Sequence, residues 1–334
     1  MNINSKYLAL IEFFVILALL AVVVIGNQNK KALEVPCYLK EINSTGLLSK
    51  RIYSGILEPK SLLILNFDPL RDELEEYINK KNISASVYVE NLRDGASFSI
   101  NENKAFLPAS LNKLPVAIII MKKIERRELS LNTMIEIMDS DRTDTFGQLY
   151  KTKEKKLPLH VLLNSMLKES DNTAFRALRR QIKDEDLQFL LGYLDYYINT
   201  IDSKTVRKGY NENDFVSVNS IYNLFSSLYL STVLNPKDDE YILSLLTDTV
   251  FDIKKIAHLP EDVVVAQKFG AEYEENLSYF HDCGIMYFGE SRVFYCIMTE
   301  NLSQQDAINF IGFTVNLIHK YFLDIRAELD SYKE

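Results

Sequence analysis

The chain has few cysteines and no concentrated positive charge, and each shortage excludes a class of protein. Three cysteines, Cys37, Cys283 and Cys296, are too few for a disulfide framework and match no zinc-ligand spacing. We expect the cysteines to be core residues or free thiols. The alternative is a disulfide between Cys283 and Cys296, which lie in predicted neighbouring strands and could pair outside the cytoplasm. The formal charge is −8 with Lys and Arg scattered along the chain, so we expect no nucleic acid partner.

Long hydrophobic runs are also lacking, except for one at the amino terminus. Tyr7 to Ile25 is apolar apart from Glu12, and its uninterrupted part, Phe13 to Ile25, is thirteen residues long. That length fits a signal sequence or a short membrane anchor. Val24 to Gly26 is a poor signal-peptidase site. We therefore predict an uncleaved anchor within residues 1–31 that holds an extracytoplasmic domain at the membrane, or a secreted form if the segment is cleaved.

The chain as a whole has the composition of a globular protein. The 334 residues are 47% hydrophobic and 25% charged, which allows one large core or two modest ones. Residues 32–69 show no clear periodicity and are punctuated by Pro and Gly, which predicts a stalk or linker. We expect the folded domain to span residues 70–330.

The domain alternates between helical and strand patterns in a definite order. A helix and a hairpin open it, a long helical stretch follows, and three strands and a helix close it. This order predicts an α+β fold with a five-stranded antiparallel sheet flanked by helices and a helical insertion at about 111–260. The predicted segments are helices Leu70–Lys81, Leu111–Arg127, Leu157–Lys168, Thr173–Ile182, Val218–Leu230, Asp238–Thr249 and Asp306–Phe322, and strands Ala85–Asn91, Ser97–Ile100, Val263–Lys268, Tyr279–Phe288 and Arg292–Thr299.

Three short motifs follow one another in this domain. They are S-x-x-K at Ser110–Lys113, S-D-N at Ser170–Asn172 and Lys-Phe-Gly at Lys268–Gly270, sixty and then ninety-eight residues apart. Such motifs recur by chance, as a second S-x-x-K at Ser165–Lys168 demonstrates. The order and spacing of the set therefore carry the interpretation.

The first motif has the residue types that acyl transfer requires. On a helix, Ser110 and Lys113 share a face, so the lysine can reach the hydroxyl as a base. Burial and a neighbouring cation such as Lys268 would lower the pKa of Lys113 and make it neutral. A helix amino terminus adds a field that stabilises negative charge at Ser110. Taken singly, Ser110 is more typical of an ordinary helix cap, and Lys113 and Lys268 are more typical of solvated charges.

Together, the motifs resemble those of the penicillin-recognising serine hydrolases, which include class A β-lactamases and penicillin-binding D,D-peptidases. The resemblance covers about Leu70 to Phe322 and implies a β-lactamase/transpeptidase-like fold. It implies that Ser110 is the acylated nucleophile, Lys113 a general base and Ser170 a proton relay to the leaving nitrogen.

The resemblance also implies a substrate-binding set. Asn172 would hold the substrate amide, and Lys268 would bind a substrate carboxylate and tune Ser170. Backbone N–H groups of Ser110 and Ala271 would form the oxyanion hole, beside Phe269 and Gly270 of the third motif.

The sequence departs from the family pattern in two places. Phe269 replaces the hydroxyl residue that helps to bind the substrate carboxylate in the family. No E-x-x-L-N motif, which carries the deacylating glutamate of class A enzymes, lies between Ser170 and Ser217. Glu212 is the nearby candidate for a deacylation base, with a solvated loop charge as the alternative.

These observations predict a class A β-lactamase-like serine hydrolase that opens a β-lactam amide through an acyl-serine and needs no metal or other cofactor. The alternatives are a cell-wall D,D-peptidase, an esterase or a penicillin-binding protein with slow deacylation, and a non-catalytic wall-binding or sensor domain. The expected partners are a small-molecule β-lactam or a peptidoglycan stem peptide, and the membrane through the amino-terminal helix.

Overall fold

The computed structural model describes residues 66–196, 214–274 and 277–331, and its central element is a five-stranded antiparallel sheet. The strand order is β2-β1-β7-β6-β5, so the first and last strands of the chain meet in the middle of the sheet. β5 is an edge strand. A separate two-stranded sheet pairs β3 with β4. The strands are β1 Ala85–Asn91, β2 Ser97–Ile100, β3 Met134–Glu136, β4 Lys156–Pro158, β5 Val264–Glu274, β6 Leu277–Phe288 and β7 Ser291–Glu300.

Helices cover both faces of this sheet. In the described residues, the helices between β2 and β5 form the helical half of the protein, except for the short helix Ile253–Ile256, which lies on the other side with the first and last described helices. In the described residues the α-helices are α1 Asp68–Lys81, α2 Lys113–Glu125, α3 Leu159–Lys168, α4 Asn172–Arg179, α5 Asp184–Tyr193, α6 Val218–Leu230, α7 Pro236–Leu246, α8 Ile253–Ile256 and α9 Gln304–Ser331.

The strands of the sheet bury both of their faces, in two separate apolar cores. Along β7, Phe294, Cys296 and Met298 point into the core of the helical half, whereas Val293, Tyr295 and Ile297 point into the core beneath α1 and α9. This alternation is the period of two that a strand imposes on its side chains. A strand with two buried faces needs apolar residues at nearly every position, and β7 has them.

Helix α2 crosses the core of the helical half. Its first nine residues, Lys113–Met121, are all buried, so this part of the helix has no solvent-exposed face. The polar tail begins only at Lys122 and Lys123, where cations are favourable near the carboxyl end of a helix. A helix held on all sides is a rigid support for whatever lies at its amino end.

The predicted α+β fold with its five-stranded antiparallel sheet is confirmed, while several predicted segment boundaries differ from the observed ones; the last helix, for example, continues to Ser331 instead of ending at Phe322. Two of the differences lie at the cleft. The segment Leu111–Arg127 is a 3-10 helix, Ala109–Asn112, followed by α2. The third-last strand does not stop at Lys268 but continues to Glu274. Gly270 therefore lies inside the strand, where its lack of a side chain allows close packing. The short β3–β4 pair was not predicted, because three-residue strands give no measurable periodicity.

The cysteine prediction also needs a correction. Cys283 of β6 and Cys296 of β7 are directly opposite each other, with their Cα atoms 4.0 Å apart, and form a disulfide. Antiparallel register places the two side chains on the same face of the hairpin, so the alternative pairing was the correct one. Cys37 lies outside the described residues.

The described residues contain no helix that is both long and apolar enough to cross a membrane. The predicted anchor, residues 1–31, and most of the predicted stalk, up to residue 65, lie outside the described part of the chain.

Candidate active site

Ser110 lies in the 3-10 helix that leads into α2, and Lys113 is the first residue of α2. One tight turn therefore separates them, and the Nζ of Lys113 is 2.7 Å from the Oγ of Ser110. The preceding residue, Ala109, has a φ of 47°. A non-glycine residue in this left-handed region costs conformational energy, and such strain is common where a backbone must present a reactive side chain.

The amine of Lys113 is surrounded by polar atoms from the S-D-N motif. It lies 2.8 Å from the carbonyl oxygen and 3.1 Å from the Oγ of Ser170, and 2.7 Å from the Oδ1 of Asn172. Carbonyl and amide oxygens only accept hydrogen bonds. A neutral amine can donate its two hydrogens to them and keep its lone pair for the hydroxyl proton of Ser110.

Burial favours that neutral form. Lys113 is 2% exposed, and desolvation lowers its pKa to about 7, against the smaller opposing effect of the Asp171 carboxylate. A lysine with its ordinary pKa would be almost fully charged at neutral pH. Half of the Lys113 amines are therefore unprotonated near pH 7, which is the condition for a general base.

Ser170 connects the two lysines. Its side chain is fully buried, and its φ of 56° places it in the left-handed region between α3 and α4. The Nζ of Lys268 donates to its Oγ at 2.9 Å. The next residue, Asp171, caps α4 by accepting from the backbone N–H of Ala174 at 2.8 Å. This cap holds the S-D-N turn in position at the start of α4.

Lys268 is fully buried on β5 and also donates to the backbone oxygen of its neighbour Phe269, at 2.9 Å. Its pKa is well below the usual value, first because of burial and second because Lys113 is nearby; the Asp282 carboxylate opposes both effects. Burial conversely raises the pKa of Asp282 to about 8, and this carboxyl accepts from the Tyr295 hydroxyl at 2.7 Å. The line from Ser110 through Lys113 and Ser170 to Lys268 is thus a continuous chain of proton donors and acceptors.

Gly270 allows β5 to pack directly on the turn that carries Ser110. A Cβ at this position would be 2.9 Å from the carbonyl oxygen of Pro108 and 3.2 Å from the backbone nitrogen of Ser110. The unpaired edge of β5 faces this turn, and Ala271 lines the cleft beside it.

These residues open into a cleft of about 1210 Å³. It is lined by Ser110, Lys113 and Asn172, by Phe269 and Ala271 of β5, and by several apolar side chains, including Phe146, Val250, Phe251 and Ile308. No group of His, Cys, Asp and Glu side chains within the described ranges could hold a metal ion.

The structure thus brings eight of the nine candidate residues together around one cleft. They are Ser110, Lys113, Ser170, Asn172, Lys268, Phe269, Gly270 and Ala271. The ninth, Glu212, lies outside the described residues. In the second S-x-x-K, Lys168 forms an ion pair with Asp248 at 2.9 Å, and neither Ser165 nor Lys168 lines the cleft.

Two residues near the site were missed by the sequence analysis. The Oγ1 of Thr145 accepts from the Nδ2 of Asn172 at 2.8 Å, and the ring of Phe146 lies against that of Phe269. Both belong to an irregular segment with no motif. Gly147, with a φ of 92°, is the only signal in it: a Cβ there would lie 2.0 Å from the Oδ2 of Asp171.

A comparison with known families decides the assignment. The sequence model of the β-lactamase enzyme family matches residues 69–322. The chain belongs to the β-lactamase enzyme family. It is a β-lactamase-like serine hydrolase, as the motifs predicted.

Individual members of the family are distant in sequence. β-Lactamase VEB-1 of Pseudomonas aeruginosa is 23% identical over 215 residues, which cover 61% of this chain and 72% of that protein. Two solved structures share the fold. TLA-3 extended-spectrum β-lactamase is 17% identical with a TM-score of 0.68, over 77% of this chain and 99% of that one. A mutant of PBP-A, in an acyl-enzyme complex with penicillin G, is 18% identical with a TM-score of 0.65, over 77% and 97%.

Proposed function

We propose that this β-lactamase family member opens a β-lactam amide through an acyl-serine intermediate on Ser110. One observation carries the proposal: the Oγ of Ser110 is 2.7 Å from the amine of Lys113, a buried lysine whose pKa is lowered to about 7. A nucleophile in contact with a base that is neutral at the working pH is the essential unit of covalent acyl transfer.

In the first step, Lys113 accepts the hydroxyl proton of Ser110 while the Oγ bonds to the carbonyl carbon of the amide. The backbone N–H groups of Ser110 and Ala271 take the role of oxyanion hole for the negative oxygen. The second N–H of the Asn172 side chain, whose first goes to Thr145, is available for the substrate amide.

The carbon–nitrogen bond then breaks, and the leaving nitrogen needs a proton. The Oγ of Ser170 supplies it and is reprotonated by Lys113, 3.1 Å away, which returns to its neutral form. Lys268 donates to the same Oγ and so orients its lone pairs and its proton. No net proton is gained or lost in acylation.

Hydrolysis of the acyl-serine ester by water gives the acid and regenerates Ser110. We assign Glu212 as the candidate base for this step, on its position in the sequence after the S-D-N motif. The Glu212→Gln protein should then acylate normally and retain its adduct longer than the wild type does.

The test of the proposal is the intact mass of the full-length protein over time with benzylpenicillin. We expect an adduct in the wild type, none with Ser110→Ala, and an unchanged adduct with Ser165→Ala, the equivalent change in the second S-x-x-K. An adduct that still forms on Ser110→Ala, or a wild type that neither forms an adduct nor releases hydrolysed product even at high ligand concentration, would refute acylation at Ser110.

We further propose that the catalytic domain is extracytoplasmic and tethered to the membrane by residues 1–31. The apolar run Tyr7–Ile25 and the Cys283–Cys296 disulfide support this, because disulfides persist mainly in oxidising compartments. In intact cells with a permeable outer layer, added protease should degrade the domain. Protection until the cytoplasmic membrane is lysed would contradict the orientation.

A further inference from the structure

Two phenylalanine rings meet across the active-site cleft. The ring of Phe146, from the segment between β3 and β4, lies edge to face against the ring of Phe269, on β5, with their centroids 5.7 Å apart. We call them the aromatic pair. Thr145, next to one ring, accepts from Asn172, and Lys268, next to the other, donates to Ser170. The aromatic pair therefore borders the reacting groups directly.

Phe269 is held firmly in this place. Its ring is 5% exposed and packs on Phe251 and Phe280, with centroid distances of 5.4 Å and 6.4 Å. Both partners belong to the core beneath α1 and α9. Movement of the ring out of the cleft would therefore break contacts with that core.

The ring of Phe269 also covers Lys268. The Nζ of Lys268 is 4.4 Å from the ring centroid, the whole side chain is fully buried, and its hydrogen bonds go to Ser170 and to the backbone of Phe269. A bound anion cannot reach the fully buried amine without a rearrangement, and the Phe269 ring is one of the groups that cover it. Lys268 is thus placed to act on Ser170 and is shielded from the ligand.

The rest of the described cleft provides no replacement for that cation. Among the described lining residues, Lys113 and Arg179 are the cationic ones. Lys113 is surrounded by the serines and Asn172, and Arg179 forms an ion pair with Asp184. Asp214 and Glu272 add carboxylates to the same lining. An anionic ligand group would lose its hydration here without a charged partner.

We propose that the aromatic pair selects substrates whose group beside it is uncharged and apolar, and that Phe269 is the specificity-determining residue. This rests on the proposed acyl transfer at Ser110 and names the substrate class of that reaction. The substrates carry a neutral amide or ester beside the aromatic pair, where a penicillin carries its carboxylate. The rings supply apolar contact area, and the covered lysine removes the attraction that would favour an anion.

The experiment compares benzylpenicillin with its methyl ester, which differ at the carboxyl group alone. The second-order rate constant of acylation of the full-length protein is measured for each by intact mass. We expect the ester to react about tenfold faster or more, because the acid must bury its charge without a partner.

Three variants locate the cause. Phe269→Thr uncovers Lys268 and adds a hydroxyl donor, so the ester-to-acid ratio should fall about tenfold or more. Phe146→Ala should lower the ratio in the same direction by less; this ring is 41% exposed, so its loss will not prevent folding. Phe189→Ala, the same change at a 76% exposed position on α5, should leave the ratio unchanged.

The outcomes are separable from those for the proposed function. A wild type that prefers the acid, or a ratio that stays constant in both Phe269→Thr and Phe146→Ala, would overturn the selectivity proposal while leaving acylation intact. Failure of both ligands to label Ser110 would overturn the proposed function and, with it, this inference.

Discussion

At the scale of single residues, Lys113 shows how burial lowers the pKa of a common cation. Desolvation lowers its pKa to about 7, and its contacts with the Ser170 carbonyl and the Asn172 amide oxygen are compatible with a neutral amine. A neutral amine that donates its two hydrogens to those oxygens keeps its lone pair for the Ser110 hydroxyl. The residue thus combines a suitable pKa with a fixed direction of proton transfer.

The lowered pKa of Lys113 predicts how acylation depends on pH. Because the reactive form is the neutral amine, the acylation rate should rise about tenfold per pH unit below pH 7 and level off above it. The check is a pH profile of the second-order rate constant with the methyl ester of benzylpenicillin, which does not titrate at the carboxyl group.

Lys168→Ala, in the second S-x-x-K, serves as the control and should leave this profile unchanged, since Lys168 lies on the surface in an ion pair with Asp248. A rate that is constant between pH 5 and pH 8 would mean that Lys113 is not the titrating base.

At the scale of elements, the site depends on how closely β5 approaches the 3-10 helix Ala109–Asn112. Gly270 makes this approach possible, because any side chain would meet the backbone of Pro108 and Ser110. The edge of β5 then carries Lys268 and Ala271 on either side of that contact. The spacing between these two elements sets the position of Ser110 relative to Lys268 and Ala271.

Gly270→Ala tests this spacing. The added Cβ should push β5 away from the turn that carries Ser110 by a few tenths of an ångström or more. Misplacement of reacting groups on this scale can lower a rate about a hundredfold. We expect a large fall in acylation rate, with a folded protein by circular dichroism.

The matched control is Gly192→Ala on α5, where an added Cβ meets no atom within 4 Å. Acylation should not change there, and helix propensity should raise the stability by about 0.5–1 kcal/mol. Equal acylation rates in the two alanine variants would show that the close approach of β5 is unimportant.

At the scale of the whole molecule, the helical half and the sheet are joined by a polar link as well as by apolar packing. The carboxylate of Glu90, on β1, accepts from the hydroxyl of Tyr222 on α6 at 2.8 Å and from that of Tyr88 at 2.6 Å. Burial raises the pKa of Glu90, and both hydroxyls oppose the rise because they stabilise the ionised form. The link fixes α6 against the sheet within a largely apolar interface.

Tyr222→Phe should therefore destabilise the protein, by about 1–2 kcal/mol, because one acceptor on a buried carboxylate loses its donor. Loss of this bond raises the folded-state pKa of Glu90 further. The destabilisation should consequently be greater at pH 8, where the carboxyl must ionise, than at pH 5. Urea unfolding at both values measures it.

Tyr193→Phe on α5 removes a hydroxyl from a residue that is 62% exposed and should change the free energy of unfolding little. The same loss in both variants, or a loss from Tyr222→Phe that is independent of pH, would argue against the Glu90 link.

Several features were readable from local sequence. β1, β2 and α6 were predicted with their observed boundaries, because alternation and helical spacing are imposed by backbone geometry within a few residues. The three motifs marked the serines, lysines and asparagine that the fold brings together for the same reason: each motif is a single turn or strand segment. The family assignment followed from their order along the chain.

Tertiary structure decided what those residues do to one another. Ser170 is 57 residues from Lys113 and 98 from Lys268, and only the packing of α4 and β5 around α2 brings their side chains within hydrogen-bond distance. The lowered pKa of Lys113 and the covering of Lys268 by Phe269 follow from burial among such distant segments. Sequence determined which chemical groups the protein has, because these are covalent and local. The fold determined their ionisation and access, because desolvation and contact depend on neighbours that the chain supplies from far away.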